Sequence, residues 1–285
     1  MPEIRSLEYL VSIAGEGTFS AAAESLHVTQ PALTRMMQRL ESELGLELFE
    51  RTKNRAELNE AGRLAVECAK KVLESAAQMT ERMERYRRSL TTLTIGSCAP
   101  GPTFTLIPSL TALRPEMTIS SAMHPEDVLL EKLRSGTFQM IVLSHPWQEK
   151  DVLCRFYVRE RLMVSLPRSH PLANRKELRI SDLAGLTMLL SSGLGIWQEL
   201  HDKQMKGVHF IVQHDRKTLH ELISASDLPN FVTNLSTNYL SYVPENRVAI
   251  PLADPEATVP FYLCVGKKHE KLLDSVMEDS EVLRR

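Results

Sequence analysis

The sequence predicts an all-helical N-terminal domain, one long connecting helix and a larger α/β domain. Three observations predict it. Residues 18–51 set down a short helical pattern, a tight turn and a second helical pattern. Between residues 59 and 90 apolar side chains recur at alternating steps of four and three, with no proline. Beyond residue 89 short apolar strands alternate with helical stretches, as in βαβ units. A chain of 285 residues allows two or three folding units. Its 43% hydrophobic and 25% charged content is that of ordinary globular domains.

The first short helix follows Thr18-Phe19. Ser20 is suited to cap it, because a hydroxyl can accept from the free N–H groups of the first turn. Ala22, Ala23 and Leu26 form an apolar stripe that lets another helix approach closely. His27-Val28 makes the turn, with Val28 plugging its inside. Thr29 is placed to cap the next helix, and Pro31 falls in its first turn, where a missing N–H costs nothing. Leu33, Met37, Leu40 and Leu44 recur at helical steps and are expected to face inward. Gly45 is placed to end the helix. The opposite face carries Gln30, Thr34, Arg35 and Gln38. Glutamine can pair with an adenine edge, threonine can touch a thymine methyl, and arginine can hold guanine or a phosphate. An apolar strand over residues 46–49 leads to Arg51, Lys53 and Arg55, the pattern of a β-wing with basic tips. This is the layout of a winged helix-turn-helix, whose second helix enters the major groove of DNA. Two packed helices with a polar outer face also occur in proteins that never touch DNA. Charge does not decide the matter: residues 1–60 carry six basic against ten acidic side chains, a net of −4. Apart from Arg5, however, the basic ones all fall on the second helix or the wing. Weak non-specific binding and reliance on dimerisation are expected.

The segment resembles the N-terminal domain of LysR-type transcriptional regulators. The resemblance is carried by Phe19, Ser20, Ala22 and Ala23, by residues 28–34 (Val-Thr-Gln-Pro-Ala-Leu-Thr), and by Leu40, Glu41, Leu44, Gly45, Leu48, Phe49 and Arg51. The family's closing Leu-Thr-x-Ala-Gly is here Leu58-Asn59-Glu60-Ala61-Gly62, and asparagine caps a helix as well as threonine does. The resemblance implies a DNA contact built from Ser20, Thr29, Gln30, Pro31, Thr34, Arg35, Gln38, Arg51, Lys53 and Arg55. It places the winged helix-turn-helix DNA-binding domain at residues 1–58, a linker helix at 59–89 and an effector-binding domain at 90–285.

Along the linker, Ala65, Ala69, Val72, Ala76, Met79, Met83, Tyr86 and Leu90 keep a 3.5-residue period, the signature of a coiled-coil seam. Packing on its own domain is the other reading of the same stripe. The resemblance favours a homodimer, since the family's linker helices pair and hold two reading heads apart. Two heads read an inverted repeat in double-stranded DNA. A homotetramer through the effector domains, a small-molecule effector and RNA polymerase are the further partners expected.

Residues 93–96, 117–122 and 140–143 read as strands, with helices over 105–113 and 127–134 between them. The region resembles the family's effector-binding part, an α/β domain of two periplasmic-binding-protein-like subdomains. Leu166-Pro167, His170-Pro171-Leu172-Ala173 and Asp182-Leu183-Ala184-Gly185 match its central signature. The first subdomain is expected at about 90–161 and 266–285, the second at about 162–265, with crossings near 161–167 and 260–266. A ligand belongs in the cleft between them, near the carboxyl ends of strands. Candidate contacts are Ser97, Cys98 and Thr103 after the first strand, His145 and Trp147 after the third, and Ser191 and Ser192 before a later helix. His145 and Trp147 read equally as braces of their loop. Pro100 and Pro102 remove N–H donors from the first turn, which weakens the case for a simple carboxylate ligand. Gln139 stands where the family often has an acidic residue. Residues 224–229 replace a glycine-containing turn of the family.

Residues 1–10 lack the basic start and apolar core of a signal peptide, and no apolar run is long enough to span a membrane, so the protein is expected in the cytoplasm. No cofactor, metal or catalytic motif is expected: phosphate loop, nucleophile elbow, dinucleotide fingerprint and HExxH are all missing, and four scattered cysteines make no CxxC pair. Two alternatives remain. One is an enzyme or binding protein on the α/β part without DNA binding. The other is a redox-responsive regulator using Cys98; the family's peroxide-sensing branch keeps its cysteine pair in the second subdomain, a pattern Cys154 and Cys264 do not reproduce.

Overall fold

The structure, a computed structural model, describes residues 1–50, 57–240 and 244–283. It contains two compact units, Met1–Arg87 and Arg88–Arg285.

In the first unit, α1 (Ile4–Glu16), α2 (Phe19–Ser25) and α3 (Gln30–Leu44) enclose a core of Tyr9, Leu10, Ile13, Ala22, Ala23, Leu33, Met37 and Leu40. The cap of α2 is Thr18, whose hydroxyl accepts from the Ala21 N–H at 3.2 Å. Ser20, expected in that role, lies inside the helix and donates to Gln30 Oε1 at 3.0 Å instead. His27 makes the turn at φ 54°, a left-handed conformation usually given to glycine. Thr29 stands at the N-cap of α3 without using its side chain. Gly45 ends α3 at φ 71°. Leu44, expected inside, is exposed, because it is the last residue before the chain turns away. Residues 46–49 form no extended strand; a single bridge pairs Phe49 with Leu58. Arg51, Lys53 and Arg55 lie outside the described residues.

Helix α4 (Glu60–Ser89) is 30 residues long, or about 45 Å. Asn59 caps it by accepting from the Gly62 N–H at 2.8 Å, while its own amide donates to the Glu47 carbonyl. A Cβ on Gly62 would sit 2.1 Å from the Leu48 carbonyl oxygen, so only glycine lets α4 approach this closely. Val66 and Ala69 are buried in the helix-turn-helix core and Ala65 packs against it. The first two seam positions are therefore used at home. Val72, Met79, Met83, Tyr86 and Leu90 are 47–65% exposed, and Leu90 lies just beyond the end of the helix.

The second unit hangs on two long antiparallel strands, β4 (Val152–Pro167) and β9 (Thr258–Gly266). On one side β1 (Thr92–Ser97) lies parallel between β2 (Thr118–Met123) and β3 (Met140–Leu143), and β3 pairs with β9. Helices α5 (Thr103–Leu113) and α6 (Glu126–Arg134) connect these strands. On the other side β5 (Thr187–Ser191) lies parallel to β6 (His209–Gln213) and β7 (Asn230–Thr233), and β8 (Arg247–Pro251) pairs with β4. Helices α7 (Trp197–Gln204), α8 (Arg216–Ala225) and α9 (Asn234–Leu240) complete this half, and α10 (Glu270–Leu283) returns to the first.

Strand β4 pairs with β9 up to Arg161, then with β7 and β8 from Leu162, so the two halves change over there. Residues 258–265, assigned to the second subdomain from the sequence, run in β9. Their apolar stretch is consumed by pairing with β3 and the first half of β4.

Candidate functional sites

The outward face of α3 is built by subtraction. Leu33, Met37 and Leu40 anchor one side, which turns Gln30, Arg35 and Gln38 to solvent and leaves Thr34 half-exposed. Pro31 is exposed in the first turn. The Ser20 hydroxyl fixes the Gln30 amide, and the Thr34 hydroxyl donates to the Gln30 carbonyl at 3.0 Å, which leaves its methyl free to meet a base. Arg39 is tied to Glu3 at 3.0 Å and Glu43 at 3.2 Å, and so is removed from this face.

In the α/β unit the turn after β1 does not offer its side chains to a ligand. Ser97 donates to the Ala99 carbonyl at 2.6 Å and Thr103 to the Pro100 carbonyl at 2.6 Å. The segment before α7 lies directly on this turn: the Ile196 N–H donates to the Cys98 carbonyl at 2.9 Å. Gly195 (φ 60°) has no room for a side chain, since a Cβ would come within 2.2 Å of that carbonyl oxygen. Cys98 lies beneath this contact, the Gly195 clasp, and its thiol is buried. Burial, then the charge of Glu126, pushes the thiol well above its usual range. A reactive Cys98 is not what this environment produces.

His145 and Trp147 brace their own loop. His145 Nδ1 lies 2.9 Å from Glu126 Oε2, and the Trp147 indole N–H donates to Glu149 at 3.0 Å. Trp147 borders a separate shallow depression, not the cleft. Gln139 is structural, accepting from both the Thr94 N–H and hydroxyl.

Beside the clasp a cavity of about 380 Å³ opens. It brings together Ser191 at the end of β5 and Ser192 after it, Gly101 before α5 and Phe104 in its first turn, Trp197 and His201 on α7, Phe231 on β7, and Glu160 on β4. Glu160 is 1% exposed. The Trp197 indole N–H donates to its Oε2 at 3.2 Å. Burial raises its carboxyl to about 7, against hydrogen bonds from Thr233 and Trp197 that lower it. A Cβ on Gly101 would lie 1.8 Å from Glu160 Oε1, so the glycine makes room for the acid. His201 points Nδ1 at Asp202 Oδ1 (2.7 Å), and its Nε2 is buried without a hydrogen-bond partner. Behind the cavity the buried Arg247 donates to Ser165 Oγ (3.0 Å) and to the carbonyls of Ser226 (3.1 Å) and Leu228 (2.7 Å), which fixes the loop over residues 224–229.

Sequence reasoning missed Glu160 and Arg247. The available signal for Glu160 was an acid between two arginines in a strand that otherwise turns apolar. Cys154 and Cys264 are partners in register on β4 and β9. The Cys264 thiol hydrogen-bonds Cys154 and lowers it to about 7, with burial opposing, while Cys264 itself is pushed far up. The described residues contain no group of three or more potential metal ligands, and none of their helices is long and apolar enough to cross a membrane.

A helix-turn-helix with a polar outward helix, followed by an α/β unit with a built cavity, defines a DNA-binding regulator with an effector domain. Residues 4–63 match the model of the family described as "Bacterial regulatory helix-turn-helix protein, lysR family", and residues 86–274 match "LysR substrate binding domain". The chain belongs to the LysR family of transcriptional regulators. It is 30% identical over 297 residues to a "Hydrogen peroxide-inducible genes activator" of Dickeya chrysanthemi, covering 98% of this chain and 96% of that protein. It is 28% identical to the "DNA-binding transcriptional dual regulator OxyR" of Escherichia coli K12, covering 99% and 91%. Among solved structures, a full-length OxyR variant of Pseudomonas aeruginosa shares the fold at a TM-score of 0.52 and 24% identity, covering 98% of this chain and 99% of that one.

Proposed function

We propose that the protein reads an inverted-repeat operator as a dimer joined along α4, and that a small molecule in the Glu160 cavity changes how its copies assemble on DNA. Gln30, Thr34, Arg35 and Gln38 read base edges, with Arg51, Lys53 and Arg55 on the flanking backbone. The observation that carries the dimer is the exposed stripe Val72, Met79, Met83, Tyr86: apolar side chains at coiled-coil spacing on a helix whose other end is packed. Such a row left in water is unfavourable, and a second copy of α4 covers it. A homotetramer through the α/β units and contact with RNA polymerase complete the reading, in the cytoplasm and without a reaction catalysed. The effector must favour one assembly over another, since equal affinity shifts nothing.

The hydrogen peroxide response in the names of the relatives suggests a thiol sensor here too. Two facts favour a bound effector instead. The Cys98 thiol is buried and pushed well above its usual range, and the cysteines at 68, 98, 154 and 264 leave none in residues 162–257. Footprinting of the full-length protein on its own promoter tests the proposal: protection of two half-sites a helical turn or a multiple apart supports a dimer, and a single unpaired half-site contradicts it.

A further inference from the structure

The cavity contains an acid, not a base, at its most buried point. Glu160 is sealed from solvent, and its carboxyl is held by hydrogen bonds from Trp197 and Thr233 alone, with no cationic side chain paired to it among the described residues. Phe104, Trp197 and Phe231 supply aromatic wall to the same 380 Å³ space. His201 Nε2, also in that wall, is buried with its hydrogen-bonding capacity unused. A buried carboxyl beside aromatic rings matches one chemistry: an ammonium group is drawn by the carboxylate charge and by the negative ring faces together. Among the described residues of the wall the one arginine is Arg216, whose guanidinium lies over the Phe104 ring, 5.4 Å from the centroid.

We infer that the effector is a small, largely apolar molecule bearing a protonated amine, which pairs with Glu160 while its body fills the aromatic part of the cavity. This rests on the reading of the cavity as the effector site. Without ligand, burial keeps the acid protonated to about pH 7. An arriving ammonium removes the reason for that, because the ion pair is formed inside the cavity and the proton leaves to solvent. The other titratable and charged groups facing this region are Cys98, whose thiol feels the Glu160 charge, and His201, His214 and Arg216 in the wall.

The test is calorimetric titration of the full-length protein with three probes sharing one body: 2-phenylethylamine, 2-phenylethanol and phenylacetate. The amine is expected to bind at least tenfold tighter than the others at pH 8. Its affinity should rise about tenfold from pH 6 to pH 8 as the acid ionises. Glu160→Gln should abolish the preference for the amine and keep the weaker binding of the alcohol, with a thermal melt confirming a folded variant. Phenylacetate binding as well as the amine, or a preference that survives Glu160→Gln, overturns the inference while leaving the cavity a ligand site. Failure of all three to bind overturns both readings.

Discussion

The Trp197 indole donates to Glu160 at 3.2 Å across the point where strand β4 leaves one half of the α/β unit for the other. Trp197 opens the helix that follows the Gly195 clasp, and Glu160 lies on a strand shared by both halves. The pair ties the first residue of that helix to the buried acid at the changeover.

That acid makes stability depend on pH. Below its unfolded value of 4.5 both states are protonated and burial costs nothing extra. Between there and about 7 the unfolded chain ionises first, and above about 7 the folded state bears the whole cost, roughly 3 kcal/mol. Glu160→Gln removes it. The variant should melt close to the parent at pH 5 and clearly higher at pH 8. Parallel melting curves across that range would show that Glu160 is not strained by burial.

Gly101→Ala places a methyl group against the same carboxyl. Overpacking of this kind costs about 1–3 kcal/mol and should weaken any cavity ligand. In Gly101→Ala combined with Glu160→Ala the methyl has room, so part of the lost stability should return. An additive double variant, measured by denaturant unfolding, argues against the contact.

Cysteine reactivity should follow environment. Alkylation of native protein, read by mass spectrometry, is expected to modify Cys154 with a midpoint near pH 7, and to spare Cys98 and Cys264 until unfolding. Rapid native labelling of Cys98 would mean that the Gly195 clasp opens freely.

Much of this was legible in advance. The recognition helix announced itself because its signals are local: Pro31 near the start, Gly45 at the end, and Leu33, Met37 and Leu40 at helical spacing. The sequence cannot separate Thr18 from Ser20 as the cap, because both are good caps and Ser20 is drawn away by its tertiary bond to Gln30. The 3.5-residue period lies on one continuous helix, yet Ala65 and Ala69 belong to the helix-turn-helix core, which a heptad pattern cannot distinguish from a partner helix. The cavity was the hardest part. Ser97 and Thr103 have the chemistry of ligand contacts, but their hydroxyls satisfy neighbouring carbonyls, and Glu160 is brought to the site by a strand changeover that no local pattern records.

Met79→Glu puts a charge in the middle of the exposed stripe on α4, where burial against a second copy would strand it. Light scattering should show the mass of the assembly halved, with dimers held through the α/β units in place of tetramers. An unchanged mass would remove the role assigned to the seam.

Genome-wide mapping of bound DNA, for the parent and for Gln30→Ala with Thr34→Ala, tests the central claim most directly. The parent should occupy discrete promoters sharing an inverted repeat. The variant should lose discrimination by roughly 1–3 kcal/mol per lost base contact, so that those peaks fade into background. Undiminished occupancy of the same sites by the variant would contradict the assignment of α3 as the reading element.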